Sequence, residues 1–369
     1  MTSTVENTRI ESKNSILLST LKEFFGKKMN FARIKFLSMF ILSLCKVQSV
    51  CFDKLASAFE TESKKDSSLR RIQRFMSEYV LDIDFVARFI FALLPHKPPF
   101  ILAMDRTNWQ FGKININALV LSIVYDGISF PILFKLLDKK GNSNTKERID
   151  IMEKYIRLFS ISTIDCLVAD REFVGEMWMK YLNENSIRYY LRIKENFLIT
   201  DPRKSGKIRV SWLFNSLKIN ETLVLYRIYY LKGQLCYLSA SKVKNKEGKP
   251  ELQILVSFNE PQKAYETYKL RWQIETAFRA LKSSGFNVEQ THLSDLDRIE
   301  KLFSLVIIAF TWAYVVGIYL HKNVKPIRIL KHGNKAQSFF KYGLTYITSI
   351  LLNPFAKDEI GIVKFLSCT

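Results

Sequence analysis

Phe100-Ile101-Leu102-Ala103-Met104-Asp105 is an apolar run closed by a carboxylate, and Ile164-Asp165-Cys166-Leu167-Val168-Ala169-Asp170 ends the same way. Runs this short and this apolar read as strands buried inside a sheet. Between them, Asn115 to Tyr125 and Ile128 to Leu137 are two more strand-like runs, joined at Asp126-Gly127, a hairpin signal. Asn144 to Phe159 and Phe173 to Asn183 have helical periodicity, and Ile187 to Ile193 returns to strand. The order predicts an α/β fold: three strands paired antiparallel, then helix, strand, helix and strand, a mixed sheet with helices on its faces. Asp105 and Asp170 both fall at C-terminal strand tips, the edge where open α/β sheets bind ligands. Taken singly, each has a plainer reading as a turn or cap residue.

Upstream, Pro95 to Pro99 marks a domain boundary. Residues 1–97 read as an all-helical N-terminal domain, with helical spacing over Ile16 to Phe25 and Phe31 to Cys45. Cys51 to Phe59, a polar loop, and Ser68 to Met76 have the layout of a helix-turn-helix. Arg70, Arg71, Gln73 and Arg74 are its candidate DNA contacts; the alternative is a small bundle with a solvated basic face. Downstream, residues 195–259 hold short strand-like runs (Thr222 to Leu231, Gln234 to Ser239, Leu252 to Phe258) separated by polar loops such as Lys242 to Lys249. They read as a β-rich insertion whose lysines suit a phosphate backbone. The core comprises residues 98–194 and 260–322, and residues 323–369 form a basic tail without a motif.

Tyr268 to Lys282 predicts one helix. At about 100° per residue, Tyr268, Arg271, Glu275 and Lys282 share one face, and Leu270, Ile274, Ala277 and Leu281 form an apolar stripe opposite. A carboxylate bordered by cations suits a divalent metal with phosphate nearby, while the plain alternative is a surface helix with Glu-Arg pairs.

The 369 residues carry 56 Lys+Arg against 35 Asp+Glu, a formal charge of +21 that favours a polyanionic partner. Five cysteines (Cys45, Cys51, Cys166, Cys236, Cys368) lack the short paired spacing of a zinc site or disulfide framework and fit a reducing compartment. The four scattered histidines (His96, His292, His321, His332) do not suggest a histidine site, and the polar N-terminus reads as carrying no secretory signal. Leu302 to Leu320 is uncharged and about long enough to span a bilayer, yet it follows the Glu275 helix, where a buried helix is needed to cover the sheet. No membrane partner is expected.

Asp105, Asp170 and Glu275 thus gather on one rim. Two-metal phosphodiester chemistry needs little more than such a trio, because Mg²⁺ takes a few carboxylates plus substrate oxygens. At this point the chain resembles the bacterial insertion-sequence DDE transposases of the insertion-sequence-four group. Their hallmark is Tyr, two residues, Arg, three residues, Glu, six residues, Lys, and Tyr268, Arg271, Glu275 and Lys282 match every interval. Asp105 in Ala-Met-Asp-Arg-Thr-Asn-Trp and Asp170 in Val-Ala-Asp-Arg-Glu-Phe resemble the family's first two acidic blocks, and the β-rich insertion is also a family feature.

The resemblance implies an RNase H-like core that excises a mobile element and joins it to target DNA. Asp105, Asp170 and Glu275 would hold two Mg²⁺ ions, with Mn²⁺ as a substitute. Tyr268, Arg271 and Lys282 would grip phosphates; Trp109, Arg171 and Trp272 would be supports. Partners would be double-stranded DNA, at terminal inverted repeats and target, and a second protomer in a homodimer; the location would be cytoplasmic, with the nucleoid. Some members stack a flipped base on a tryptophan of the insertion. Here Trp212 lies early in it and reads instead as a core aromatic. The competing function is a catalytically inactive or domesticated DNA-binding protein of the same fold.

Overall fold

Asp126 and Gly127 adopt φ of 40° and 91° and reverse the chain between two strands paired from Asn117↔Leu137 to Tyr125↔Ile128, with a one-residue shift between Leu121 and Ser122. Both turn residues have positive φ, the requirement of a tight hairpin matched to strand twist. The computed structural model describes residues 15–111, 114–245, 247–331, 333, 335–353 and 355–367. The polar N-terminal stretch, His332 and Cys368 lie outside these residues.

In chain order the helices and strands begin with α1 (15–25), α2 (Phe31–Val47), α3 (Phe52–Ser57), α4 (Lys65–Glu78) and α5 (Ile83–Ala92). Next come β1 (Phe100–Phe111), β2 (Ile114–Tyr125), β3 (Ile128–Leu137), α6 (Thr145–Phe159), β4 (Ile164–Ala169), α7 (Glu176–Glu184) and β5 (Tyr189–Ile193). Then follow β6 (Leu198–Thr200), β7 (Lys207–Arg209), β8 (Thr222–Leu231), β9 (Gln234–Lys244) and β10 (Pro250–Phe258). The chain continues with α8 (Ala264–Lys269), α9 (Trp272–Lys282), α10 (Leu296–Asn323) and α11 (Phe339–Leu352).

These elements form two compact units: residues 97–108 with 115–277, and residues 1–96 with 109–114 and 278–369. The first is mixed α/β. Its ten strands make one sheet in the order β3-β2-β1-β4-β5-β10-β9-β8-β6-β7. β1, β4 and β5 are mutually parallel, whereas β10 is antiparallel to β5 and β9 to β10. The inserted strands therefore continue the central sheet. β9 runs to Lys244 because Lys244 pairs with Pro250, so part of the expected Lys242–Lys249 loop is ladder. α6 opens with a capping box: Asn144 Oδ1 accepts from the Glu147 N–H at 2.9 Å, and the Asn144 N–H donates to Glu147 at 2.7 Å. Such reciprocal bonds satisfy donors that a helix start leaves free. α6 lies against β3, and α8 against β4, β5, β9 and β10.

The second unit is helical. α10 forms its core and packs with α2, α4, α5 and α11. Its apolar residues run all round it and find partners among these helices. Of its most apolar stretch, 89% is buried, the alternative to a membrane span for so apolar a helix. α10 and α11 meet at two glycines. A Cβ on Gly317 would stand 1.8 Å from the Phe339 carbonyl oxygen, and one on Gly343 1.8 Å from that of Ala313. Gly343→Ala is expected to cost about 1–3 kcal/mol by overpacking. An unchanged urea midpoint would show that the two helices separate without cost.

Candidate active site

The aspartates are positioned by one strand pair. Met104↔Ala169 is the last register pair between β1 and β4, so Asp105 and Asp170 stand side by side where the strands part. Asp170 does end its strand; Asp105 does not. β1 continues to Phe111 because β2 lies along its other edge after β4 has stopped. Asp105 Oδ1 accepts the Arg106 N–H at 2.8 Å, and Asp170 Oδ1 accepts the Arg171 N–H at 2.7 Å. Asp170 is thus also a cap, of the 3₁₀ turn Arg171–Phe173, as its plainer reading had it.

Tyr268 to Lys282 is not one helix. α8 closes at Lys269, Leu270 and Arg271 form a turn, and α9 starts at Trp272. The junction is held by 3₁₀-type bonds, Arg271 N–H to Tyr268 O at 3.0 Å and Ile274 N–H to Arg271 O at 3.1 Å. Tightening of this kind is a common end for a helix. Its consequence is that Tyr268 leaves the expected open face: it is buried, and its hydroxyl donates to Asp170 Oδ1 at 3.3 Å. Ile274, Ala277 and Leu281 are buried as the stripe predicts, while Leu270 in the turn is only half-buried.

Arg271 ties the acids together. Its Nη1 donates to Asp105 Oδ2 at 2.9 Å and its Nη2 to Glu275 Oε1 at 2.6 Å. Only 11% of its side chain is exposed, and its buried Nε has no hydrogen-bond partner. Burial works against its charge, but the charges of Asp105 and Asp170 and the bond to Glu275 offset this and keep the guanidinium protonated. Burial pushes the Asp105 carboxyl up to about 6; Arg271 and the Arg106 N–H pull it down, and Glu172 and Asp170 add to the rise. Burial also holds the Tyr268 phenol well above its ordinary range, so it stays a neutral donor. Among the described residues, no three His, Cys, Asp or Glu side chains are gathered closely enough to hold a metal as they stand. The donor set nonetheless suits a hard cation, being all carboxylate oxygen, and a guanidinium already stands in for one between Asp105 and Glu275.

A second arginine network braces the aspartates. Arg106 Nε and Nη2 grip the Glu172 carboxylate at 2.6 and 3.0 Å, and its Nη1 donates to Asn117 Oδ1 at 3.0 Å and Gly141 O at 2.7 Å. Arg148, nearly fully buried, donates to Ser143 Oγ at 2.9 Å and to the Glu172 carbonyl at 3.0 Å. These residues fix the turn that presents Asp170. Sequence reading missed Arg106, Glu172, Arg148 and Asn117; the available signal was the charged neighbour following each aspartate, Arg106 and Arg171-Glu172.

The remaining expected contacts belong to the helical unit. There the Lys282 Nζ meets Glu289 at 3.0 Å and stands 5.7 Å over the Trp109 ring. α4, also in that unit, buries Ser68, Ile72, Phe75 and Met76 and turns Arg70, Gln73 and Arg74 to solvent; Arg71 is half-buried. Burial lowers the Arg71 pKa. A polar segment separates the short α3 from α4, an order that a helix-turn-helix and a small bundle share. A cavity of about 350 Å³ beside α4, lined by Val50, Phe52, Gln73, Met76, His292 and Arg298, contains none of the three acids. Trp212 is 62% exposed, which overturns its reading as a core aromatic: Val210 and Phe214 take the buried positions of its 3₁₀ turn. Trp272 is exposed and Trp109 buried. His321 Nδ1 accepts the Ile327 N–H at 2.8 Å, a structural role.

No curated protein matches the chain. A solved structure resembling it is the cryo-EM piggyBac transposase synaptic complex with hairpin DNA, at 14% identity and a TM-score of 0.47, over 94% of this chain and 80% of that one. The family model described as "Transposase DDE domain" matches residues 96–312, more than half of the chain and the whole span from Asp105 to Glu275, so the protein belongs to the DDE transposase family.

Proposed function

We propose that the protein is an insertion-sequence transposase of the insertion-sequence-four group, which cuts phosphodiester bonds at the element's ends and joins them to target DNA. The observation that carries this reading is the junction at Arg271, where carboxylates from β1 and α9 meet on one guanidinium while Tyr268 holds Asp170. The strand order β3-β2-β1-β4-β5, with β1, β4 and β5 parallel, supports an RNase H-like core.

Asp105, Asp170 and Glu275 would hold two Mg²⁺ ions, or Mn²⁺ in their place. Bound there, such ions supply an activated hydroxyl nucleophile and charge stabilisation at the leaving oxygen. The chain's own residues orient the acids. Tyr268 donates to Asp170, the Arg106–Glu172 clamp braces both aspartates, and the Arg106 N–H fixes the Asp105 carboxyl. Arg271 and Lys282 serve as phosphate contacts at the element's end, whereas Tyr268, expected among them, keeps its hydroxyl on Asp170. Arg70, Arg71 and Arg74 on α4 add contacts to the inverted repeat, consistent with the formal charge of +21. Pairing two ends calls for a homodimer acting in the cytoplasm, at the nucleoid. A DNA-binding protein without catalysis is the second reading, favoured by the hold of Arg271 on two of the three acids.

An end-labelled duplex carrying the inverted repeat separates the two. Nicking at the repeat boundary in Mg²⁺, and none in EDTA, is expected; salt-sensitive binding without cleavage in Mg²⁺ or Mn²⁺ would favour the second reading. Burial pushes the Asp105 carboxyl up to about 6, above the ordinary carboxylate range, and a metal needs the carboxylate. Apparent Mn²⁺ affinity should therefore fall about tenfold per pH unit below that value and level off above it.

A further inference from the structure

We propose that Arg271 is the resident counter-cation of the acid site, and that a divalent ion enters by displacing its guanidinium from Asp105 and Glu275. This rests on the reading of the three acids as metal ligands. Arg271 occupies that place by geometry: one planar group bonds Asp105 Oδ2 at 2.9 Å and Glu275 Oε1 at 2.6 Å, reaching Asp105 from 166 positions away in the chain. The side chains of Arg271, Asp105 and Glu275 are 11%, 17% and 33% exposed, so water screens this junction poorly. Mg²⁺ takes its oxygens at about 2.0–2.1 Å, inside the reach of a hydrogen bond, so the ion and the guanidinium compete for the same lone pairs. Like charges at that separation in a half-dry site repel.

The arginine is also built to leave. It sits in the two-residue turn between α8 and α9 rather than inside a helix, and its Nε has no partner to lose. Displacement swaps a single charge for a double one among three carboxylates, while Tyr268 stays on Asp170. The released guanidinium, still charged, is then free to meet a phosphate oxygen, so metal loading and DNA grip become steps of one switch. Without metal, the same contacts keep the carboxylates paired and the site folded.

The test is Mn²⁺ titration of the metal-free full-length protein, followed by calorimetry and by loss of the free-ion paramagnetic resonance signal. Arg271→Gln removes the competing charge and is expected to bind Mn²⁺ about tenfold or more tightly than wild type. Arg271→Lys, which keeps a charge but cannot span both carboxylates, should fall between the two and serves if the glutamine variant does not fold. Affinity in these variants equal to or weaker than wild type overturns the proposal and makes Arg271 a structural brace, leaving the acid site intact. Absence of Mn²⁺ binding in wild type and both variants removes the acid site itself, and the proposal with it.

Discussion

Alanine at Asp105, Asp170 or Glu275 is expected to lower strand cleavage by about 10³-fold or more while leaving binding to the element's end largely unchanged. Loss of a metal ligand forfeits several kcal/mol of charge stabilisation, and each 1.36 kcal/mol is tenfold in rate. Folding must be followed in parallel, because the acids also neutralise Arg271. With Asp105 gone, a guanidinium that is 11% exposed keeps only Glu275 as its anion, and breaking such a pair costs about 3–5 kcal/mol. Asp105→Asn is the milder change at that position. Its amide oxygen can still accept the Arg106 N–H and it fills the same space, yet it is an uncharged, poor ligand whose NH2 end faces Arg271, so it should cost less stability than Asp105→Ala and cleave as badly. Cleavage within tenfold of wild type in all three alanine variants would remove these residues from the chemistry.

The second large effect is expected at Glu172, which never touches the proposed ions. Its carboxylate takes two bonds from Arg106, with side chains 17% and 21% exposed, and its carbonyl takes one from Arg148. Glu172→Ala leaves the half-buried Arg106 without its anion, at a cost of about 2–3 kcal/mol by urea unfolding. It also frees the turn that presents Asp170. Arg106→Lys keeps a charge but loses the planar fork, so it should recover part of the stability. The Arg106 backbone N–H to Asp105 remains in both variants. A stability change below about 1 kcal/mol would mean that solvent serves the clamp's groups equally well, as at surface pairs.

Much of the sheet was legible because its signals are local. Asp126-Gly127 requires positive φ at both positions, and the β-branched runs on either side leave little choice of register. The bounds of β3, β4 and β8 coincide with the apolar runs that predict them. β1 was not legible beyond Met104: its pattern turns polar at Asp105-Arg106-Thr107-Asn108, yet β2 still supplies ladder partners. The break at Leu270-Arg271 has no local mark either, since helical periodicity runs straight through it. Arg271 is drawn toward Asp105, a partner 166 positions away that no window of sequence contains. The Arg106–Glu172 clamp, 66 positions apart, escaped for the same reason. α10 could be read as buried from its composition, since a helix apolar all round in so charged a chain finds its partners inside.

The membership of Asp105, Asp170 and Glu275 in one metal site can be measured by letting the metal mark its own ligands. Fe²⁺ with ascorbate and peroxide generates hydroxyl radicals that cut the chain beside a bound ion, and mass spectrometry maps the cuts. The expected result is cleavage clustered around residues 105, 170 and 275 together, suppressed by excess Mg²⁺ and lost in Asp105→Asn. Cuts at one of these segments without the others, or a pattern that excess Mg²⁺ leaves unchanged, would contradict a shared site.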